Sequence, residues 1–162
     1  MKKLLLLRHA KSGWDDNLDD HERPLNARGK KAAPRMGKLL REQRLRPDLI
    51  VTSTATRALK TARVVAEACG YEGPVQQDRS LYLASPAQYV RVAQNVDDGV
   101  VCLLLVGHNP GIELLVEQLT GIPERMPTAA LCLVNVPIAA WCAFDATCRC
   151  SLQRVWRPKQ QR

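Results

Sequence analysis

The chain has 162 residues, enough for one domain with a core that needs no staples, and its formal net charge of +8 favours acidic or phosphorylated partners through long-range attraction. The basic residues scatter over 41–46, 57–63 and 154–162 and form no single block with aromatics interleaved, which argues against a dedicated nucleic-acid surface. No stretch approaches transmembrane length, and the six cysteines lie in a chain too long to need disulfides, so reduced thiols, a cytoplasmic location and no membrane partner are expected.

Residues 4–7, four consecutive leucines, read as a buried strand that ends in Arg8 and His9. Met1-Lys2-Lys3 before them imitates a signal peptide, but Arg8 and His9 stand where a cleavage site would be. Residues 11–23 form a long polar loop marked by Gly13 and the acids Asp15, Asp16, Asp19 and Asp20, and loops of that length are usually functional. Asn26 is placed to cap a helix carrying Ala32, Ala33, Met36, Leu39 and Leu40, which Pro34 is expected to kink or to restart. Residues 49–51 form a short strand, and Thr52-Ser53-Thr54 is placed to cap the next helix. Ala58, Leu59, Ala62, Val65, Ala66 and Cys69 give that helix an apolar face, and Gly70 stops it. A short strand is expected near Val75, and Ser85-Pro86 starts a helix reaching to about Val96.

Residues 100–106 look like the most buried strand. It breaks into Gly107-His108-Asn109-Pro110-Gly111, then a helix marked by Ile112, Leu115, Val116 and Leu119. Residues 131–136 and 141–144 read as an antiparallel pair, with 152–156 as one more strand. Strand and helix alternate, so the fold class is α/β. A three-layer arrangement is expected, with a mostly parallel central sheet, helices on both faces and antiparallel strands at the C-terminal end.

Ligands of open α/β sheets bind beyond the carboxyl ends of the strands. Two strands end in histidine, His9 and His108, and a third leads into a helix with Arg57 in its first turn. If these strands are neighbours, Arg8, His9, Arg57 and His108 converge on one point. Two guanidinium forks and two imidazoles suit a phosphoryl group, and the helix starts near Ser53 and Asn109 add backbone donors. No two of the three histidines stand three or four residues apart, so a metal site is not expected. Cys148-Arg149-Cys150 lacks zinc-site spacing.

Arg8-His9-Ala10 resembles the RHG motif of the histidine phosphatase superfamily, with Ala where Gly is usual. The segment from Ser53 through Arg57-Ala58 to Thr61-Ala62 resembles that family's S-x-x-x-R-A-x-x-T-A helix start. Gly107-His108-Asn109-Pro110-Gly111 resembles its second histidine motif. Arg23-Pro24-Leu25 with Gly29 is similar to the short SixA-type phosphohistidine phosphatases. The resemblance covers the chain from Leu4 to about Leu119. It implies that His9 is a nucleophile that becomes phosphorylated, that Arg8, Arg57 and His108 bind phosphoryl oxygens, and that neither metal nor other cofactor is needed. Ser12, Ser53, Asn109 and Arg23 are further candidates for substrate binding.

Many family members carry a glutamate general acid shortly after the third strand. Here the segment reads Asp78-Arg79-Ser80-Leu81-Tyr82-Leu83, with no carboxylate after Leu81. An alkoxide leaving group needs a proton; an imidazole whose other nitrogen is already protonated leaves as a neutral ring. The sequence therefore points to phosphohistidine on a signalling or phosphorelay protein. Asp20 stands where the SixA-type proteins have a candidate acid. The alternatives are a phosphomonoesterase or mutase acting on small metabolites, a phosphate-binding domain without turnover, and a nucleic-acid binder using the basic tail at 154–162.

Overall fold

The computed structural model describes residues 1–14 and 17–160; Asp15 and Asp16 of the acidic loop and the last two residues of the basic tail lie outside the described residues. The strands are β1 (Lys2–Arg8), β2 (Leu49–Thr52), β3 (Val75–Gln77), β4 (Cys102–Gly107), β5 (Leu131–Val136) and β6 (Ser151–Trp156). The helices are α1 (Ala27–Glu42), α2 (Thr56–Cys69), α3 (Pro86–Gln94) and α4 (Gly111–Thr120). The sheet order is β3-β2-β4-β1-β5-β6. β3, β2, β4 and β1 run parallel, while β5 is antiparallel to β1 and β6 to β5.

The leucine run is continuous because β1 is covered on both sides. Leu4 and Leu6 face one core with Leu103 and Leu105 of β4, under Tyr89 and Ala93 of α3 and Ile112 and Val116 of α4. Leu5 and Leu7 face the other with Leu104 and Val106, under Met36 and Leu40 of α1 and Ala62 and Val65 of α2. All four leucines are fully buried, each worth about 1.5–3 kcal/mol relative to exposure. This is the three-layer α/β architecture expected from the sequence, with the antiparallel strands at its C-terminal end.

Some expectations are corrected. Pro34 does not move the start of α1, which runs from Ala27 to Glu42 with its cap at Asn26. Burial of Ala33, Met36, Leu39 and Leu40 on the sheet holds the helix across the missing donor, whose loss costs about 3 kcal/mol. Residues 141–144 are not a strand: Trp141–Ala143 is a single turn of 3-10 helix, and the partner of β5 is β6. Trp141 and Phe144 are both buried against the same core, and residues three apart would point to opposite faces of a strand. The most buried strand begins at Cys102, because Val101 is exposed. α3 ends at Gln94 rather than near Val96. All six cysteines are free thiols. Among the described residues no helix is long and apolar enough to cross a membrane.

Candidate functional site

β2, β4 and β1 are consecutive in the sheet, so the three strand ends expected to carry the chemistry are neighbours. Arg8 pairs in register with Gly107, and the His9 N–H donates to the Gly107 carbonyl. The Ser53 N–H donates to the Val106 carbonyl. His9, His108, Arg57 and Ser53 are all buried.

Arg57 is the hub, only 3% exposed. Its Nε donates to His9 Nε2 at 3.4 Å, and its Nη2 lies 3.5 Å from His108 Nδ1. Its Nη1 donates to the Asp20 carbonyl at 2.7 Å and its Nη2 to the Asp20 carboxylate at 3.0 Å. The two imidazole centroids are 5.1 Å apart.

These contacts assign the histidine tautomers. His9 Nδ1 lies 2.7 Å from the Ala10 carbonyl, which can only accept, so Nδ1 carries the proton and Nε2 keeps its lone pair. His108 Nδ1 faces the guanidinium, so its Nε2–H donates to Ser53 Oγ at 2.8 Å. Burial pushes His9 down to about 4, with the charges of Arg57, Arg8 and Arg23 adding to the effect and the Ala10 bond opposing it. Burial likewise pushes His108 down to about 3, assisted by His9 and Arg57. Both rings are neutral at neutral pH.

Arg8 donates from Nη1 to the Met126 carbonyl at 3.2 Å, while its Nε is buried with no partner. A buried unpaired donor costs about 1–3 kcal/mol, and an oxyanion above the strand ends would satisfy it. Asp20 is gathered by three side chains: Tyr82 Oη donates to Oδ2 at 2.6 Å, Arg57 to the same oxygen, and Arg23 to Oδ1 at 2.9 Å. The Tyr82 hydroxyl and the two guanidiniums hold its carboxyl well below the usual range, so Asp20 stands as an anion that braces Arg57.

The remaining sequence candidates are placed differently. Ser53 does not cap α2, whose N-cap is Ala55 without a side-chain bond. Its Oγ instead accepts from the Ala55 N–H at 3.2 Å and from His108. Thr54 bonds His21 Nε2 at 2.8 Å. Arg23 donates to Ser12 Oγ at 2.8 Å and stacks 4.0 Å over the Trp14 ring, so Arg23 and Ser12 fasten the first loop. Asn109 donates to the Met126 carbonyl at 2.8 Å and to Glu113 at 2.9 Å, which ties down the segment before β5. The structure thus brings together Arg8, His9, Arg57, His108, Asp20 and Ser53, and holds Ser12, Arg23 and Asn109 in the supporting loops.

Sequence reasoning missed three supports. Tyr82 has its ring 5.5 Å from that of His108 and grips Asp20; it stands in the segment searched only for a carboxylate. Tyr89 Oη accepts from the His108 N–H at 3.0 Å and donates to its carbonyl at 3.3 Å. Gly107 makes this possible, since a Cβ there would collide with the Tyr89 hydroxyl. Thr61 Oγ accepts from the Ala10 N–H and donates to the Arg57 carbonyl. It joins the segment after β1 to α2, a role its place in the motif could have suggested.

Comparison with known proteins agrees with this geometry. The family model described as histidine phosphatase superfamily (branch 1) matches residues 4–82. A protein of Mycobacterium tuberculosis strain H37Rv is 31% identical over 153 residues, covering 88% of this chain and 94% of that one. A solved structure from Agrobacterium tumefaciens, of a protein proposed to be the phosphohistidine phosphatase SixA, superposes with a TM-score of 0.82 at 28% identity over 97% of this chain and 98% of that one. Phosphoglycerate mutase 1 of Saccharomyces cerevisiae is 40% identical over 70 residues, 41% of this chain and 28% of that one.

Proposed function

The chain belongs to the histidine phosphatase superfamily, and we propose that within it the protein removes phosphoryl groups from phosphohistidine in proteins through a phospho-His9 intermediate. That it is a phosphatase follows from the family and from its likeness to SixA. The observation that carries the mechanism is the His9 tautomer. With Nδ1–H committed to the Ala10 carbonyl, Nε2 presents its lone pair beside the Arg57 guanidinium.

Nε2 attacks phosphorus in line. A P–N bond forms to His9, and the substrate P–N bond breaks. Its electron pair returns to the substrate imidazole, which already carries a proton on the other nitrogen and leaves neutral. Arg57 and the unpaired Nε of Arg8 meet charge on the equatorial oxygens. His108 first faces that oxyanion with a lone pair. As substrate enters, Nδ1 takes a proton from water and Nε2 gives its proton back to water, so the ring changes tautomer with no net protonation; the Ser53 hydroxyl then donates to Nε2 and Nδ1–H faces the phosphoryl group. Water attacks phospho-His9 in the second step and releases phosphate. The ionised Asp20 positions Arg57 rather than supplying a proton, which suits a leaving group that needs none.

The partial likeness to phosphoglycerate mutase favours a second reading, a small-metabolite phosphomonoesterase or mutase. Phosphate release from a phosphohistidine protein and from an activated phosphate ester, with chelator present, separates the two. We expect wild type to prefer the phosphohistidine protein and His9→Ala to lose about a thousandfold or more on both substrates. Cleavage of the ester alone would retain His9 as nucleophile and overturn the substrate.

A further inference from the structure

A groove lined by basic side chains lies apart from the two histidines. The groove, of about 880 Å³, has Lys11, Arg28, Lys31, Arg35, Arg157 and Lys159 in its lining. Arg157 is paired with Glu124 at 2.6 Å. The other five cations are exposed, and none forms a salt bridge with a described residue. No acid lines the groove among the described residues. Ala32, Pro127 and Pro158 add apolar surface to its lining.

This arrangement opposes what the fold alone would favour. Arg28, Lys31 and Arg35 lie on one face of α1 at steps of three and four residues, where like charges destabilise a helix by a few tenths of a kcal/mol per pair. Arg28 also occupies the first turn of α1, where the helix dipole favours anions and where no acid is present. Gly29 tightens the cluster, because a Cβ there would run into the Lys11 backbone; its absence lets α1 lie directly on the segment leaving β1. Sequence choices that break local rules together, around a formed concavity, mark a binding surface.

The groove adjoins the active site through the chain itself. Lys11 is two residues beyond His9, a span of at most about 7 Å. Thr128 precedes Ala129, whose N–H donates to the Arg8 and His9 carbonyls. The rises between the three α1 cations, about 4.5 and about 6 Å, match carboxylates three and four residues apart on a second helix. A lining that mixes apolar surface with cations suits an amphipathic helix laid in a groove. Stacking on single-stranded nucleic acid would call for aromatic side chains, and the lining has none.

We propose that this groove docks an acidic amphipathic helix of the phosphoprotein substrate beside the mouth of the active site; the proposal rests on the phosphohistidine-protein reading above. The test uses the full chain, a synthetic helical peptide with glutamates along one face, a phosphohistidine protein bearing such a helix, and a small phosphoramidate. Lys31→Glu combined with Arg35→Glu should weaken peptide binding about tenfold or more at about 150 mM salt. The same variant should raise KM for the phosphoprotein by a similar factor, and small-phosphoramidate turnover should be unchanged, which also shows that the variant folds. The peptide should compete with the phosphoprotein and not with the phosphoramidate. Equal peptide binding by variant and wild type, or tighter binding of a single-stranded oligonucleotide than of the peptide, overturns the groove assignment while leaving the catalytic reading intact. A wild type that hydrolyses the phosphoramidate but no phosphohistidine protein overturns the substrate reading, and the groove as a substrate dock falls with it.

Discussion

At the scale of single residues, the site is a competition for one guanidinium. Arg57 is shared between His9, His108 and the Asp20 carboxylate, and an arriving phosphoryl group must enter that set. If Asp20 acted as a general acid, its removal would harm ester cleavage far more than phosphoramidate cleavage, because only the alkoxide needs the proton. If it braces Arg57, both reactions suffer alike. We expect Asp20→Asn to reduce kcat/KM for the two substrates by the same factor, about tenfold, measured side by side at neutral pH. Arg8, His9, Arg57 and His108 were legible in the sequence because each stands at an abrupt end of an apolar run or inside an ordered motif. Tyr82 and Tyr89 were not, because an aromatic hydroxyl that reaches the site from elsewhere in the chain leaves no local pattern. Asp20 was legible as a candidate, but its charge state depends on Tyr82 and two arginines that only the folded chain gathers.

At the scale of elements, the strand ends do the positioning and the helices brace them. Gly107 ends β4 against the Tyr89 hydroxyl, which holds both backbone groups of His108. Gly107→Ala should push Tyr89 aside and cost about 1–3 kcal/mol by overpacking, read as a lower urea midpoint with an unchanged m-value. Its kcat should fall with it, since His108 loses its anchor. Helix and strand types followed from periodicity wherever an element presents a regular apolar face, as in α2 and β4. The sequence misled where burial is irregular: Trp141 satisfies its indole N–H on the Val100 carbonyl at 2.8 Å from a turn rather than a strand. Pro34 is carried through α1 because tertiary packing outweighs local preference.

At the scale of the whole molecule, placing two neutral imidazoles in the interior links stability to pH. Both histidines have folded values below the ordinary 6.5, near 4 for His9 and near 3 for His108, so the unfolded chain binds more protons between those values and 6.5. Their contribution is complete above the unfolded value and is lost as pH falls through that window. From about pH 7.5 to about pH 5 the loss should be about 2 kcal/mol per histidine, measured by urea unfolding. His9→Ala should show a shallower slope over the same interval, and an identical slope would remove His9 as its source. The fold class, and the neighbourhood of β2, β4 and β1, could be expected from strand–helix alternation. The basic groove could not, because its cations look scattered until α1, the segment after β1 and the end of the chain are brought together.

The position of β4 has a further consequence for how the site comes into being. β4 is made after β1 and β2 but lies between them. A growing chain that has reached residue 101 already contains Arg8, His9 and Arg57, yet lacks the strand that hydrogen-bonds to both β1 and β2. Insertion of the late central strand brings in His108 and closes the gap in one event, at the cost of slow, long-range contacts. The geometry that sets His9, Arg57 and His108 around one point is therefore complete only once β4 is in place.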